Sequence, residues 1–231
     1  MKILAVDTSA NTATVCVVDE DKLIAERTVN YKKTHSETLM PMIDGTLKDA
    51  GLDITDIDVF SVADGPGSFT GLRIGVSAVK GMAHALDKPI VTISTLEAMA
   101  YGIYMSEDII SPIMDARRNQ VYNGVYTWCD GKFSVLSEPR ALSIEECVKD
   151  LLRYKKRVIF LGDGVPVHKE YITSKMGDMA VFAPPSVNGP RASALASLAG
   201  EHEKKTCFEV APLYLRKPQA ERELEERSKK E

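Results

Sequence analysis

Residues 64–86 read D-G-P-G-S-F-T-G-L-R-I-G-V-S-A-V-K-G-M-A-H-A-L, from Asp64 to Leu86. The run over 58–63 before them reads as a buried strand that stops at Asp64. Gly65-Pro66-Gly67 can then only be a tight turn, because glycine reaches backbone angles closed to other residues. Ser68 or Thr70 caps a helix in which Leu72, Ile74, Val76, Val79, Met82, Ala83 and Leu86 recur at helical spacing. Gly71, Gly75, Ala78 and Ala85 leave one side of that helix nearly bare. Glycine in a helix interior costs roughly 1 kcal/mol relative to alanine. A close backbone approach along that side would explain it, either from the chain's own sheet or from a partner.

The 231 residues fit one large domain or two smaller ones. Hydrophobic residues make up 44% and charged residues 27%, the balance of a globular protein with a normal core. A net charge of −4 argues against an autonomous nucleic-acid binder, which carries a basic domain. Cys16, Cys129, Cys147 and Cys207 form no C-x-x-C pair, so they read as buried thiols of a reducing compartment rather than a zinc or disulfide framework. The opening M-K-I-L-A-V-D is too short an apolar run for a signal peptide, and no run approaches a membrane span. A cytoplasmic protein with no membrane contact is expected.

Residues 2–6 read as a buried strand closed by Asp7-Thr8-Ser9, and 12–19 and 22–29 alternate, so the three read as an antiparallel meander. Thr34-His35-Ser36-Glu37 resembles a capping box for a helix over 35–51 carried by Leu39, Met40, Ile43, Leu47 and Ala50, which Pro41 should bend. A strand at 89–93 and a helix over 95–105 close the first half. The second half opens like the first: a strand over 109–114 ends at Asp115, a hairpin follows over 120–128 and beyond Asp130-Gly131, then a helix over 143–154 and a strand over 157–161. Gly162-Asp163-Gly164, helices over 167–175 and 192–203, and a short segment over 212–216 complete it. The pattern divides into residues 1–106, 107–216 and a charged tail over 217–231, read as a solvated helix or disorder. Two related α/β halves, each a mixed sheet with flanking helices, are expected.

The catalytic inventory is thin. The glycine loop is neither a Walker A motif nor G-x-G-x-x-G, since Thr70 stands at the third glycine position. Asp7, Ser9, Gly65, Gly67 and Ser68 are the candidate contacts for a nucleotide or phosphate, through the exposed amides of a helix N-terminus. His202-Glu203-Lys204-Lys205-Thr206 is one histidine short of a zincin, and His35, His84 and His168 have no partner at ligand spacing. His35 reads as a first-turn capping neighbour. No G-x-S-x-G surrounds Ser68. Asp7 and Asp115 are either metal or base carboxylates or satisfy backbone amides at strand ends. Arg117 and Arg118 suit a phosphate or RNA, or a plain surface. No catalytic and no metal residue is assigned. An autonomous small kinase or ATPase remains the alternative.

The motifs Ile3-Leu4-Ala5-Val6-Asp7-Thr8-Ser9, 65–75, Met114-Asp115-Ala116-Arg117-Arg118 and Ala211-Pro212-Leu213-Tyr214-Leu215-Arg216 together resemble the TsaB (YeaZ) family of bacterial tRNA threonylcarbamoyladenosine biosynthesis proteins, over nearly the full length. That resemblance implies an actin/Hsp70/sugar-kinase (ASKHA) fold. It also implies a degenerate paralogue of TsaD, the transferase that places a threonylcarbamoyl group on tRNA adenosine. TsaD-like sequences carry a metal-binding H-x-x-x-H where Thr95 and Met99 stand here, and hydroxyl and thioether are poor substitutes for imidazole. The family's role is a non-catalytic scaffold that pairs with TsaD through its first two helices, here 35–51 and 71–86. The implied interface is Leu39, Met40, Ile43, Leu47, Gly71, Gly75, Ala78 and Met82. The implied partners are a TsaD-type transferase, a TsaE-type ATPase, tRNA through the complex, and a second copy when TsaD is missing. No tightly bound cofactor is implied, and ATP or ADP binding at most weakly.

Overall fold

The computed structural model describes residues 1–31 and 34–216. The charged tail over 217–231 lies outside them. The meander forms as β1 (Lys2–Asp7), β2 (Ala13–Asp19) and β3 (Lys22–Val29). Helix α1 (His35–Ala50) follows, then β4 (Val59–Gly65), α2 (Phe69–Leu86), β5 (Ile90–Ser94) and α3 (Thr95–Tyr101). The second half repeats the succession: β6 (Ile109–Asp115), β7 (Gln120–Cys129), β8 (Lys132–Ser143), α4 (Ile144–Leu152), β9 (Val158–Leu161), α5 (Val165–Met176), β10 (Ala180–Phe182) and α6 (Ala192–Leu198). A two-residue strand, β11 (Lys204–Lys205), returns to the first sheet.

The two sheets have the same internal order. The first runs β11-β5-β4-β1-β2-β3 and the second β10-β9-β6-β7-β8. Within each, the meander is antiparallel and the two later strands join in parallel, β1 to β4 and β6 to β9. The suspected duplication is therefore present strand for strand, although the halves share few residues.

Five layers stack across the molecule. Leu4, Val6, Phe60 and Val62 face α1 and α2, while Ile3, Ala5, Cys16, Val59 and Ile93 on the other face meet Ala192, Leu195 and Leu198 of α6. Both faces of β1 are covered, and it reads as a continuous apolar run for that reason. Helix α3 supplies Leu96, Met99 and Ala100 to a cluster with Ile110, Met114, Tyr126 and Trp128 of the second half. Helices α4 and α5 cover the far side of the second sheet through Val148, Leu151, Val165 and Ile172. The third helix of each half thus sits between the sheets, with α6 packed on the first-half sheet, so α6 and β11, late in the chain, serve the first half.

Local signals explain most ends. The backbone N–H of Thr34 donates to the Glu37 carboxylate at 3.3 Å, and Gly51 closes α1 in the left-handed region at φ 67°. Helix α1 continues through Pro41. Ser68, not Thr70, caps α2, accepting the Gly71 N–H at 3.2 Å. Helix α3 stops at Tyr101 just before Gly102, and α6 stops at Leu198 ahead of Gly200, both shorter than their apolar spacing suggests. Strands β10 and β11 are too short for alternation to mark them. Among the described residues no helix is long and apolar enough to cross a membrane.

Candidate functional site

The bare side of α2 is divided between two environments. At Gly71 an added Cβ would strike the Thr8 carbonyl oxygen, and at Gly75 the Thr8 hydroxyl. Thr8 fills the notch between them and donates its hydroxyl proton to the Gly71 carbonyl at 2.7 Å. Both glycines are buried against Thr8, just past the end of β1. Leu39 (1% exposed), Ile43 (2%) and Leu47 (8%) likewise belong to the first-half core. These five expected interface residues are corrected to intramolecular packing. The glycines are required by Thr8, and the leucines and isoleucine by the sheet below α1.

The outward side is different. Met40 is 51% exposed, Ala78 and Met82 are half-buried along the edge of the core, and Ser77, Gly81 and Ala85 are exposed. Nothing lies within 4 Å of the position a Gly81 Cβ would take. Ser77, Gly81 and Ala85 recur every four residues, so they form one row. The sequence reading missed Ser77 and Gly81; the signal was that second row of small residues. At the helix end Phe208 is 81% exposed and stands edge-on to His84, with ring centroids 5.6 Å apart.

A cavity of about 480 Å³ opens between the halves, lined by Ser9, Gly67, Ser68, Thr70, Asp115, Arg117, Asp163 and residues 213–216. Ser9, Gly67 and Ser68 border it, whereas Asp7 is fully buried and Gly65 faces the Leu213 carbonyl, 2.6 Å from where its Cβ would stand. Asp7 and Gly65 are thereby corrected from contact residues to supports behind the wall. The Ser68 N–H already donates to the Ser9 carbonyl at 2.6 Å, which occupies one amide a phosphate would use.

The equivalent carboxylates do matching structural work. Asp7 Oδ1 accepts the Ser9 N–H at 2.7 Å, and Asp115 Oδ1 accepts the Arg117 N–H at 2.8 Å. Burial pushes Asp7 above the ordinary carboxylate range, with the Ser9 bonds pulling the other way. Asp163 is raised too, first by burial and then by neighbouring Asp115, while the Asp115 N–H donating at 3.1 Å lowers it.

The remaining candidates find ordinary partners. His35 Nε2 lies 2.8 Å from the Ala10 carbonyl, tying α1 to the β1–β2 loop rather than capping its own helix. His202 Nε2 lies 3.2 Å from Glu97 Oε1, a pair that raises the imidazole. Cys16 and Cys147 are buried as expected, but Cys129 is exposed and Cys207 partly so, 3.6 Å from His84 Nδ1. Thr95 and Met99 are buried beside the interlobe cluster, and this hydroxyl and thioether do not fit the divalent metal held by two histidines in TsaD-like sequences.

Comparison with known proteins matches this geometry to relatives. The family model for TsaD, tRNA N6-adenosine threonylcarbamoyltransferase, matches residues 22–224. The tRNA threonylcarbamoyladenosine biosynthesis protein TsaB of Bacillus subtilis is 37% identical over 221 residues, 96% of each chain. The solved structure of YeaZ from Pseudomonas aeruginosa superposes with a TM-score of 0.76 at 26% identity, covering 93% of this chain and 99% of that one. Component A of the Acidaminococcus fermentans (R)-2-hydroxyglutaryl-CoA dehydratase shares the fold, with a TM-score of 0.51 at 10% identity over 87% of this chain and 98% of that one. The duplicated halves are those of the actin/Hsp70/sugar-kinase fold. With a near-full-length relative of that name and a family model spanning most of its residues, the chain belongs to the TsaB (YeaZ) family, within the wider TsaD-like group.

Proposed function

We propose that this chain is a non-catalytic subunit in the synthesis of threonylcarbamoyladenosine on tRNA, pairing with a TsaD-type transferase. The observation that carries the reading is the outward row Ser77-Gly81-Ala85 on α2, with Ala78 and Met82 on the same helix and Met40 exposed on α1. Small side chains let a second helix approach closely, and the exposed methionine supplies adaptable apolar area. The same face accounts for a homodimer when the transferase is missing. The side chains at 95 and 99 leave the chemistry to the partner. A TsaE-type ATPase and tRNA act through the complex, in the cytoplasm. The interlobe cavity takes ATP or ADP weakly at most, because the Ser68 amide is engaged and Asp7 stands behind the wall.

Reconstitution tests this. Modification of tRNA by the TsaD-type and TsaE-type proteins should require this chain, and the chain alone should neither modify tRNA nor release phosphate from ATP. Modification or ATP turnover by the purified chain alone would instead favour an autonomous ASKHA enzyme.

A further inference from the structure

The segment over 210–216 crosses the mouth of the interlobe cavity as a strap with contacts at both ends. Its root lies on the first half. Lys80 Nζ donates to the Val210 carbonyl at 2.6 Å, and the Leu213 N–H donates to the Asp64 carbonyl at 2.7 Å. The Tyr214 ring stacks on Phe69 with centroids 4.7 Å apart, and Arg73 Nε donates to the Tyr214 hydroxyl at 3.0 Å. The Arg73 guanidinium lies 3.8 Å from the centroid of the same Phe69 ring. Phe69, Arg73 and Lys80 all belong to α2, so the strap is seated on that helix.

The far end reaches the second half, where Arg216 Nη1 donates to the Ala116 carbonyl at 2.7 Å. Ala116 opens the β6–β7 turn. In it Arg117, Arg118 and Asn119 follow one another at φ 61°, 54° and 59°, three successive non-glycine residues in the left-handed region. Side chains rarely adopt that conformation, and it persists only where surrounding contacts impose it. Here Asp115 Oδ1 holds the Arg117 N–H, the Ala116 N–H donates to the Gln120 carbonyl at 2.9 Å, and Asn119 Nδ2 donates to Glu145 at 2.6 Å. The Gln120 N–H donates to the Arg117 carbonyl and the Ile144 N–H to the Asn119 carbonyl, both at 3.2 Å, so the second half holds the turn from several sides, and Arg216 adds a tie from the strap.

We propose that residues 210–216 form an interlobe latch, through which the seat on α2 holds the left-handed β6–β7 turn and the opening of the cavity between the halves. Arg216 is the positioning residue at one end and Tyr214 at the other. A helix seated on the outer face of α2 would be felt across the cavity by this route. That extension rests on the docking proposed above, whereas the latch itself does not.

Amide hydrogen exchange read by mass spectrometry on the full chain, without a partner, tests the latch. Peptides covering 115–121 should exchange at least tenfold faster in Arg216→Ala and also in Tyr214→Ala, while β1 keeps its wild-type protection. Arg216→Lys, which retains a donor, should restore most of the protection. Faster exchange in Arg216→Ala but none in Tyr214→Ala would make Arg216 a local cap and overturn the latch. Should Tyr214→Ala also expose β1, the chain has unfolded. Tyr214→Phe, which loses only the bond to Arg73, then decides: severalfold faster exchange over 115–121 supports the latch, and wild-type exchange overturns it.

Discussion

The two sides of α2 carry glycine for opposite reasons. Gly71 and Gly75 face inward, where Thr8 occupies the space a side chain would need. Gly81 faces outward into open space. An inward glycine is required by the fold. An outward one lowers helix stability without a compensating contact among the described residues, which the docking proposed above would explain. A small residue therefore says that something comes close, and only its neighbours say whether that is self or partner.

The largest effect that would sharpen this contrast is inward. Gly71→Ala places a methyl on a backbone carbonyl that cannot swing away, and Gly75→Leu collides with Thr8. Each should cost about 3 kcal/mol or more, a fall in Tm of roughly 6–12 °C in a protein of this size. A wild-type melting curve for either would break the comparison. Leu39→Ala should also destabilise the isolated chain, by about 2–5 kcal/mol, because Leu39 lies in the core rather than on a free interface.

The same contrast recurs between the halves. After β4 the chain runs through Gly65-Pro66-Gly67 and lies against Ser9; after β9 it runs through Gly162-Asp163-Gly164 and lies against Ile113 and Asp115. The second loop thus puts a carboxylate where the first has proline. Asp163 is raised above its ordinary value near 3.8, so the folded chain holds its proton more readily than the unfolded one. Stability attached to this group is therefore greatest at low pH and falls as pH rises through the folded pKa. Asp163→Asn keeps an oxygen for the Asp115 N–H and removes the buried charge. It should be more stable than wild type by about 1 kcal/mol at neutral pH, with the gain fading toward about pH 4. Thermal melts at both pH values check this, and a gain independent of pH would contradict it.

The outward glycine gives a smaller effect of opposite sign. Gly81→Ala should raise stability by about 0.5–1 kcal/mol, since helix propensity improves and nothing is struck. The smallest effect belongs to the pair between α3 and the loop after α6. His202 is raised by Glu97, so the pair stabilises the fold below about pH 6.5 and the contribution is lost as pH rises through the folded value. Glu97→Gln should cost about 0.5 kcal/mol at about pH 6 and little at about pH 9, as read by denaturant unfolding.

Much of the fold was legible because both sheets are covered on both sides. Buried strands such as β1 and β4 stand out as apolar runs, and Asp7 and Asp115 mark equivalent strand ends in both halves. The site was less legible. Spacing located Gly71 and Gly75 on a bare side of α2 but carried no information on Thr8, which lies more than sixty residues earlier in the chain. For the same reason the strap, joining Tyr214 to Phe69 and Arg216 to Ala116, had no local signature. The helix end at Tyr101 was overrun because Ile103 continues the apolar spacing past Gly102 into the interlobe cluster, whereas Gly200 marks the end near Leu198.

The most direct measurement is titration calorimetry of Gly81→Leu against a TsaD-type transferase, beside wild type. Leucine at an open helix position leaves the fold intact but fills the space a partner helix would use. The predicted result is a Tm no lower than wild type with affinity at least tenfold weaker, about 1.4 kcal/mol. Wild-type affinity with leucine in that position would contradict the docking of this face.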